Sequence, residues 1–211
     1  MVEELAERLW ADNSDLAHAA LAHPLVRSLA DGSLPRQQFQ FYVAQDAFFL
    51  EAFARAYAFA LARSPDRDGL EAFYRLIGGV LEELRLHTTY AARWHVNLQD
   101  VEPSPATLAY TEFLITTASA NSLGEICAAM TPCMRLYAFL GQSLAAEGAA
   151  RPDNPYREWI ETYASKDFEG LAATLENLLN RYASDSSSVS DLYRRAMHLE
   201  LGFFSVATCV N

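Results

Sequence analysis

No stretch of about 18 apolar residues passes without a charged one, so no membrane-spanning helix is expected. The opening Met1-Val2-Glu3-Glu4 lacks the basic and then apolar segments of a secretory signal, which places the expected location in the cytoplasm. Cysteine is scarce: Cys127, Cys133 and Cys209 are odd in number and spaced like neither a disulfide framework nor a zinc site, so reduced thiols are expected. Nucleotide-binding and serine-hydrolase readings have no support, because G-x-G-x-x-G, G-x-x-x-x-G-K-[ST] and G-x-S-x-G are all absent. The five histidines (His18, His23, His87, His95, His198) form no E-x-x-H pair of the di-iron kind, and Glu83 to His87 is one residue too long. No metal site is therefore expected. Basic residues are also few, 16 Lys and Arg against 27 Asp and Glu, and the net charge of −11 excludes a nucleic-acid or anionic-membrane surface. Small neutral or cationic ligands stay open.

What is present is apolar and helical. The 211 residues are 51% hydrophobic and 20% charged, enough for one domain over residues 1–211 with a large core. Apolar residues recur at steps of three and four nearly everywhere, and alternating β-branched runs are missing, which predicts an all-α bundle of about eight helices. The punctuation agrees. Asp31-Gly32-Ser33-Leu34-Pro35 ends one helix and starts another, Ser64-Pro65 and Ser104-Pro105 open two more, and Ser122-Leu123-Gly124-Glu125 is a capping box. Asn154-Pro155 opens a shorter helix, and Ser184 to Ser190 is a loop feeding the last one, with Ser188 and Asp191 as its start signal.

Three helical faces carry polar chemistry. On Pro35 to Arg63, Phe39, Tyr42, Asp46, Phe49, Phe53 and Tyr57 share one face, so an acid sits in the middle of an apolar stripe. A lone buried carboxylate costs several kcal/mol, so Asp46 should have a ligand or a structural partner such as a Tyr or Arg. On Leu123 to Ala146, the face Ile126, Met130, Cys133, Tyr137 and Leu140 follows Pro132, which removes a backbone hydrogen bond beside the cysteine. By local criteria Cys133 reads as a small core thiol, as do Cys127 and Cys209. On the last helix, Glu200 lies among Tyr193, Met197 and Phe204, a setting that raises a carboxyl pKa and suits a proton shuttle, with a salt bridge to Arg as the competing reading. Tyr110, Tyr137 and Tyr163 each fall on an apolar face, as core hydroxyls or as ligand contacts.

Read in order, these segments resemble the thiaminase II (TenA) family, in its cysteine-containing branch. The resemblance lies in His23-Pro24, Leu29 to Leu34, Phe39 to Tyr42, Gln45-Asp46 with Phe49-Leu50, Glu83 to Leu86-His87, and Ala109-Tyr110-Thr111. It continues in Pro132-Cys133 with Tyr137 and Gly141, Tyr156 to Trp159-Ile160 with Tyr163-Ala164-Ser165, and Glu200 with Phe203-Phe204. The resemblance implies a haem-oxygenase-like multi-helix bundle without haem or any other cofactor, a homotetramer, and a deep pocket in each subunit.

It also implies an aminopyrimidine substrate. By similarity the enzyme is an aminopyrimidine aminohydrolase of thiamin salvage, turning the aminomethyl-aminopyrimidine into its hydroxymethyl form, with intact thiamin as a further substrate. Cys133 would add to the ring, the leaving group would depart from the methylene, and water would replace it before the cysteine is expelled. Glu200 would carry the proton, helped by Tyr137 and Tyr163, while Asp46 accepts hydrogen bonds from the ring and Tyr110 and Phe203 face it. Many family members have Tyr at the position of Phe49, a substrate-facing residue, and Trp at that of Phe204, so fine substrate preference is the property most open to change here. Two other readings compete. An oxygenase on the same scaffold would need metal ligands that the sequence does not supply, and a non-catalytic thiamin- or pyrimidine-binding regulator would not need Cys133 with Glu200.

Overall fold

The computed structural model describes residues 4–94, 96, 98 and 101–208, with residue 90 described for its backbone alone. Cys209, His95 and the opening Met1-Val2-Glu3 lie outside the described residues. Among the described residues there are ten α-helices and no strand: α1 (Leu5–Asp12), α2 (Ser14–Leu21), α3 (Pro24–Asp31), α4 (Arg36–Arg63), α5 (Arg67–Trp94), α6 (Pro105–Ala120), α7 (Leu123–Ala146), α8 (Arg157–Tyr163), α9 (Lys166–Tyr182) and α10 (Ser187–Ala207). The all-α reading holds. Ten helices stand where the apolar periodicity suggests about eight, because the first 31 residues break into three short helices at Asn13 and His23. Buried Asn13 donates from its side chain to the Leu9 carbonyl and receives Arg194, which fixes the first break.

Most helix ends follow local chemistry. Gly32 takes the left-handed conformation (φ 81°) that closes α3, which a residue with a Cβ adopts only at a cost. Ser104 and Ser122 cap α6 and α7 as expected, the latter in a full capping box with Glu125. Three starts lie a little downstream or upstream of their sequence signals. Asp66, not Ser64, receives the Gly69 amide at the start of α5. Asn154 holds the Tyr156 amide in a turn, so α8 begins only at Arg157. Ser186 caps α10, while Ser188 reaches across to Glu125.

The core is organised around α7, which is buried along most of its length, Ile126, Met130, Cys133, Tyr137 and Leu140 included. It packs against α9 and α10 most extensively, and also against α4, α6 and α8, while α4 packs between α5 and α6. The helix runs through Pro132, and the Thr131 hydroxyl bonds the Cys127 carbonyl at 2.7 Å. Gly141 lets α8 approach closely: a Cβ there would stand 2.4 Å from the Tyr163 carbonyl carbon. No helix among the described residues is long and apolar enough to cross a membrane.

Candidate active site

The face of α7 that carries Cys133 meets α10 and α6, and each contributes one polar group to an otherwise apolar contact. The Cys133 thiol lies beside the Glu200 carboxyl, and Tyr110 Oη donates to Glu200 Oε1 at 2.6 Å. All three side chains are buried, and no arginine among the described residues bonds the Glu200 carboxyl. Burial raises the Glu200 carboxyl to about 7; the hydrogen bond from Tyr110 and the Cys133 thiol work against that rise, and the charge of Asp46 adds to it. Burial also pushes the Cys133 thiol well above its usual range, and the carboxylates of Glu200, Glu83 and Asp46 push it further. At neutral pH the pair therefore rests as a neutral thiol beside a half-ionised carboxyl. That arrangement suits attack coupled to proton transfer.

Across from the thiol, α4 and α5 hold a second polar cluster. His87 Nε2 donates to Asp46 Oδ2 at 2.7 Å, with both side chains buried, and His87 Nδ1 donates to the Glu83 carbonyl one turn back on α5 at 2.9 Å. Burial alone would lower the imidazole pKa, but the hydrogen bond and charge of Asp46, with Glu83 adding to them, raise it to about 9. With both ring nitrogens donating, His87 is an imidazolium hydrogen-bonded to the Asp46 carboxylate. Tyr163 Oη from α8 donates to Glu83 Oε1 at 2.5 Å. Burial and the nearby Asp46 charge raise the Glu83 carboxyl to about 7, against the pull of His87 and Tyr163.

Aromatic rings fill the space between the two clusters. Tyr42 Oη receives Trp159 Nε1 at 3.2 Å and donates to Tyr137 Oη at 3.1 Å. Phe49 packs on Tyr110 and Phe203, with ring centroids 4.7 and 5.9 Å apart. An inner cavity is lined by Asp46, Phe49, Glu83, Cys133, Tyr137 and Tyr163, among others, and Glu200 meets it through the Cys133 thiol. A second, outer cavity shares Glu83 and Tyr163 with it and is otherwise lined by Phe39, Tyr42, His87 and Trp159 together with Val43, Leu86 and Thr162. All eight residues singled out in the sequence thus lie in or against this one region. Their pairings are less evident from the sequence: the hydroxyl on Glu200 is that of Tyr110, whereas Tyr163 bonds Glu83 and Tyr137 bonds Tyr42.

Glu83 and His87 carry no assigned role in the sequence reading, although their spacing held the signal. A four-residue step is wrong for a di-iron motif but right for placing two polar groups on one helix face, here the face turned to Asp46. Among the described residues, no three His, Cys, Asp or Glu side chains come together as a metal-binding group.

Residues 10–209 match the profile of the TENA/THI-4/PQQC family. The chain is 32% identical to an aminopyrimidine aminohydrolase of Halalkalibacterium halodurans over 97% of its own length and 92% of that protein. It is 34% identical to the mitochondrial bifunctional TH2 protein of Arabidopsis thaliana over 96% of its own length, but spans only 37% of that longer protein. Among solved structures, a TenA family transcription regulator from Silicibacter sp. TM1040 superposes with a TM-score of 0.87 at 26% identity, each chain covered over 94%. Haem oxygenase-1 of the cyanobacterium Synechocystis superposes with a TM-score of 0.64 at 17% identity, over 97% of this chain and 92% of that one, so the bundle is haem-oxygenase-like in fold.

Proposed function

This chain belongs to the TENA/THI-4/PQQC family, and on that basis we propose that it is a cysteine-dependent aminopyrimidine aminohydrolase. The reaction is replacement of the amine on 4-amino-5-aminomethyl-2-methylpyrimidine by water, with thiamin as a further substrate whose thiazolium departs as the neutral thiazole without taking a proton, so that one proton is released to solvent. The observation that carries this reading is one cavity lined by both Cys133 and Asp46, with the buried Glu200 carboxyl beside the thiol.

Asp46 Oδ2 is taken by His87, while Oδ1 bonds no protein group among the described residues and is open to the ring and amino nitrogens of an aminopyrimidine. A carboxylate oxygen that accepts from the ring and amino nitrogens favours the protonated ring, which is the better electrophile. As Cys133 Sγ adds to a ring carbon, its proton passes to Glu200. Glu200 then delivers that proton to the departing amine, takes one from the incoming water as the hydroxymethyl C–O bond forms, and returns it to the thiol when the C–S bond breaks. Tyr110 steadies the Glu200 carboxylate, and Phe49 and Phe203 give the ring an apolar wall. Nothing in these steps consumes a cofactor.

Further expectations join this proposal: a homotetrameric assembly, a cytoplasmic location and one functional domain over residues 1–211. The test is incubation of the purified protein with the aminomethyl-aminopyrimidine and with thiamin, following ammonia or thiazole release. Release of either supports the reading, and failure to turn over both overturns it.

A second reading has one observation in its favour, the description of the Silicibacter relative as a transcription regulator. A regulator that binds an aminopyrimidine needs Asp46 and the aromatic wall but has no use for a thiol beside a carboxyl. Tight pyrimidine binding with no turnover by the parent protein would favour it.

A further inference from the structure

The outer cavity is not needed to hold a pyrimidine ring at Cys133 and Asp46, yet it adjoins the ring site through a wall made of Glu83 and Tyr163. It is aromatic on several sides, with Phe39, Tyr42, Trp159 and Tyr163 buried around it. Toward solvent, Leu86 is exposed and Thr162 and Glu83 are half-buried, and both Leu86 and Thr162 also line a surface groove between α5 and α8. The surface groove, the outer cavity and the inner cavity are thus neighbours in that order, each sharing lining residues with the next.

We propose that the outer cavity is a subsite for the leaving-group half of the substrate, and that Glu83 makes it selective for a cation, a quaternary heteroaromatic ring. The inference rests on the hydrolase reading above for its biological meaning, but the binding it describes is independent of turnover. Aromatic faces attract a cation through their quadrupoles, and a carboxylate at the edge of such a box adds a directed charge. The local charge balance points the same way. Asp46 and Glu83 line the inner cavity and Glu83 the outer one, and among the described residues bonded to these two carboxylates only His87 is basic. His87 is engaged with Asp46, so Glu83 has a tyrosine hydroxyl as its direct partner and no cation of its own. Burial and the neighbouring Asp46 charge raise its pKa more than His87 and Tyr163 lower it, and a bound cation would add a further counter-charge. The acidic protein as a whole, at −11, also draws cations toward the groove.

The test uses two fragments of equal size, an N-methylthiazolium cation and an uncharged C-methylthiazole, titrated into the full-length protein by calorimetry. The wild type should bind the cation about tenfold or more tightly than the neutral ring, and Glu83→Gln should erase that preference. Far-UV circular dichroism and a thermal melt of Glu83→Gln are measured in parallel and should match the parent, which establishes that the variant keeps its fold. Glu83→Asp, with the charge retained, should keep part of the preference. The proposal is overturned if the wild type binds the cation no better than the neutral ring, lack of any binding included, or if Glu83→Gln leaves the preference intact. Failure of the hydrolase reading would show separately, as absence of turnover with the fragment preferences unaltered.

Discussion

Asp46 and His87 stand 41 residues apart in the chain and 2.7 Å apart in the fold, an imidazolium–carboxylate pair closed off from solvent between α4 and α5. The pair does two things at once. It gives Asp46 the partner that a buried carboxylate requires, and it leaves one carboxylate oxygen facing the inner cavity. The partner is neither of the two kinds anticipated from the sequence, Tyr or Arg, but a histidine on the neighbouring long helix. Its energetic signature is directly measurable.

His87 has a folded-state pKa of about 9, raised above the ordinary value of 6.5 for the unfolded chain. Its contribution to stability is therefore fully present below 6.5 and is lost as pH rises through about 9. His87→Gln should destabilise the protein by about 3 kcal/mol near neutral pH, because it leaves a buried charge without its partner. Denaturant titrations of parent and variant should converge as pH is raised from about 6.5 to above 9. A stability difference that stays constant over that range would show that His87 is not charged in the fold.

Cys133→Ser should lower turnover of the aminomethyl-aminopyrimidine by about a thousandfold or more, since a serine hydroxyl is a far weaker nucleophile in the same place. Aminopyrimidine binding should survive, because Asp46 and the aromatic wall are untouched. Parent-like turnover by the variant in a steady-state ammonia assay would remove the nucleophile assignment.

Glu200 should set the pH dependence of the first chemical step. Its carboxyl is raised to about 7, so the ionised form that accepts the thiol proton accumulates only above that pH, and kcat/KM should climb as pH passes through 7. Glu200→Gln should abolish this limb and lower kcat by about 100-fold to 10,000-fold. Because Glu83 also titrates near 7, the profile of Glu83→Gln serves as the comparison. A limb that vanishes in Glu83→Gln and persists in Glu200→Gln would transfer the proton role to Glu83.

Tyr110→Phe removes the hydroxyl that donates to Glu200. With that hydrogen bond gone, burial acts less opposed and the carboxyl pKa should rise further, moving the activity limb to higher pH. The same substitution at Tyr137, whose hydroxyl bonds Tyr42, should leave the limb where it is. Equal shifts in both variants would argue against a direct Tyr110–Glu200 coupling.

Gly141→Ala tests how Tyr163 is placed. The added methyl would meet the Tyr163 backbone at 2.4 Å, closer than packed atoms approach, so α8 must shift. The expected cost is about 1–3 kcal/mol. The displaced tyrosine should also weaken the cation preference ascribed to Glu83. A variant as stable as the parent in thermal melts would mean that α7 and α8 separate freely.

Much of this architecture is legible in the sequence because it depends on nearest neighbours along a helix. The stripe on α4 from Phe39 to Tyr57 and the Cys133–Tyr137 face of α7 are buried as their three- and four-residue steps require, and Ser104, Ser122 and Gly32 mark helix ends by local hydrogen bonding and backbone freedom. The starts of α5 and α10 were harder to read, since several serines and acids nearby can each cap and only the packed chain selects Asp66 and Ser186.

What the sequence by itself determined is which side chains face inward: Asp46, Cys133 and Glu200 sit on apolar faces, so each had to enter the core. Only the tertiary structure decided which group each would meet. Glu200 finds Tyr110 and the Cys133 thiol, Asp46 finds His87, and Tyr163 finds Glu83, across separations of 41 to 90 residues. Helical periodicity specifies direction from an axis but not which neighbouring axis lies there, and hydrogen bonds of this kind depend on tenths of an ångström set by how α4, α5, α7 and α10 pack. The raised pKa values follow from that same packing, because desolvation comes from every helix around the group and not from its own sequence neighbours.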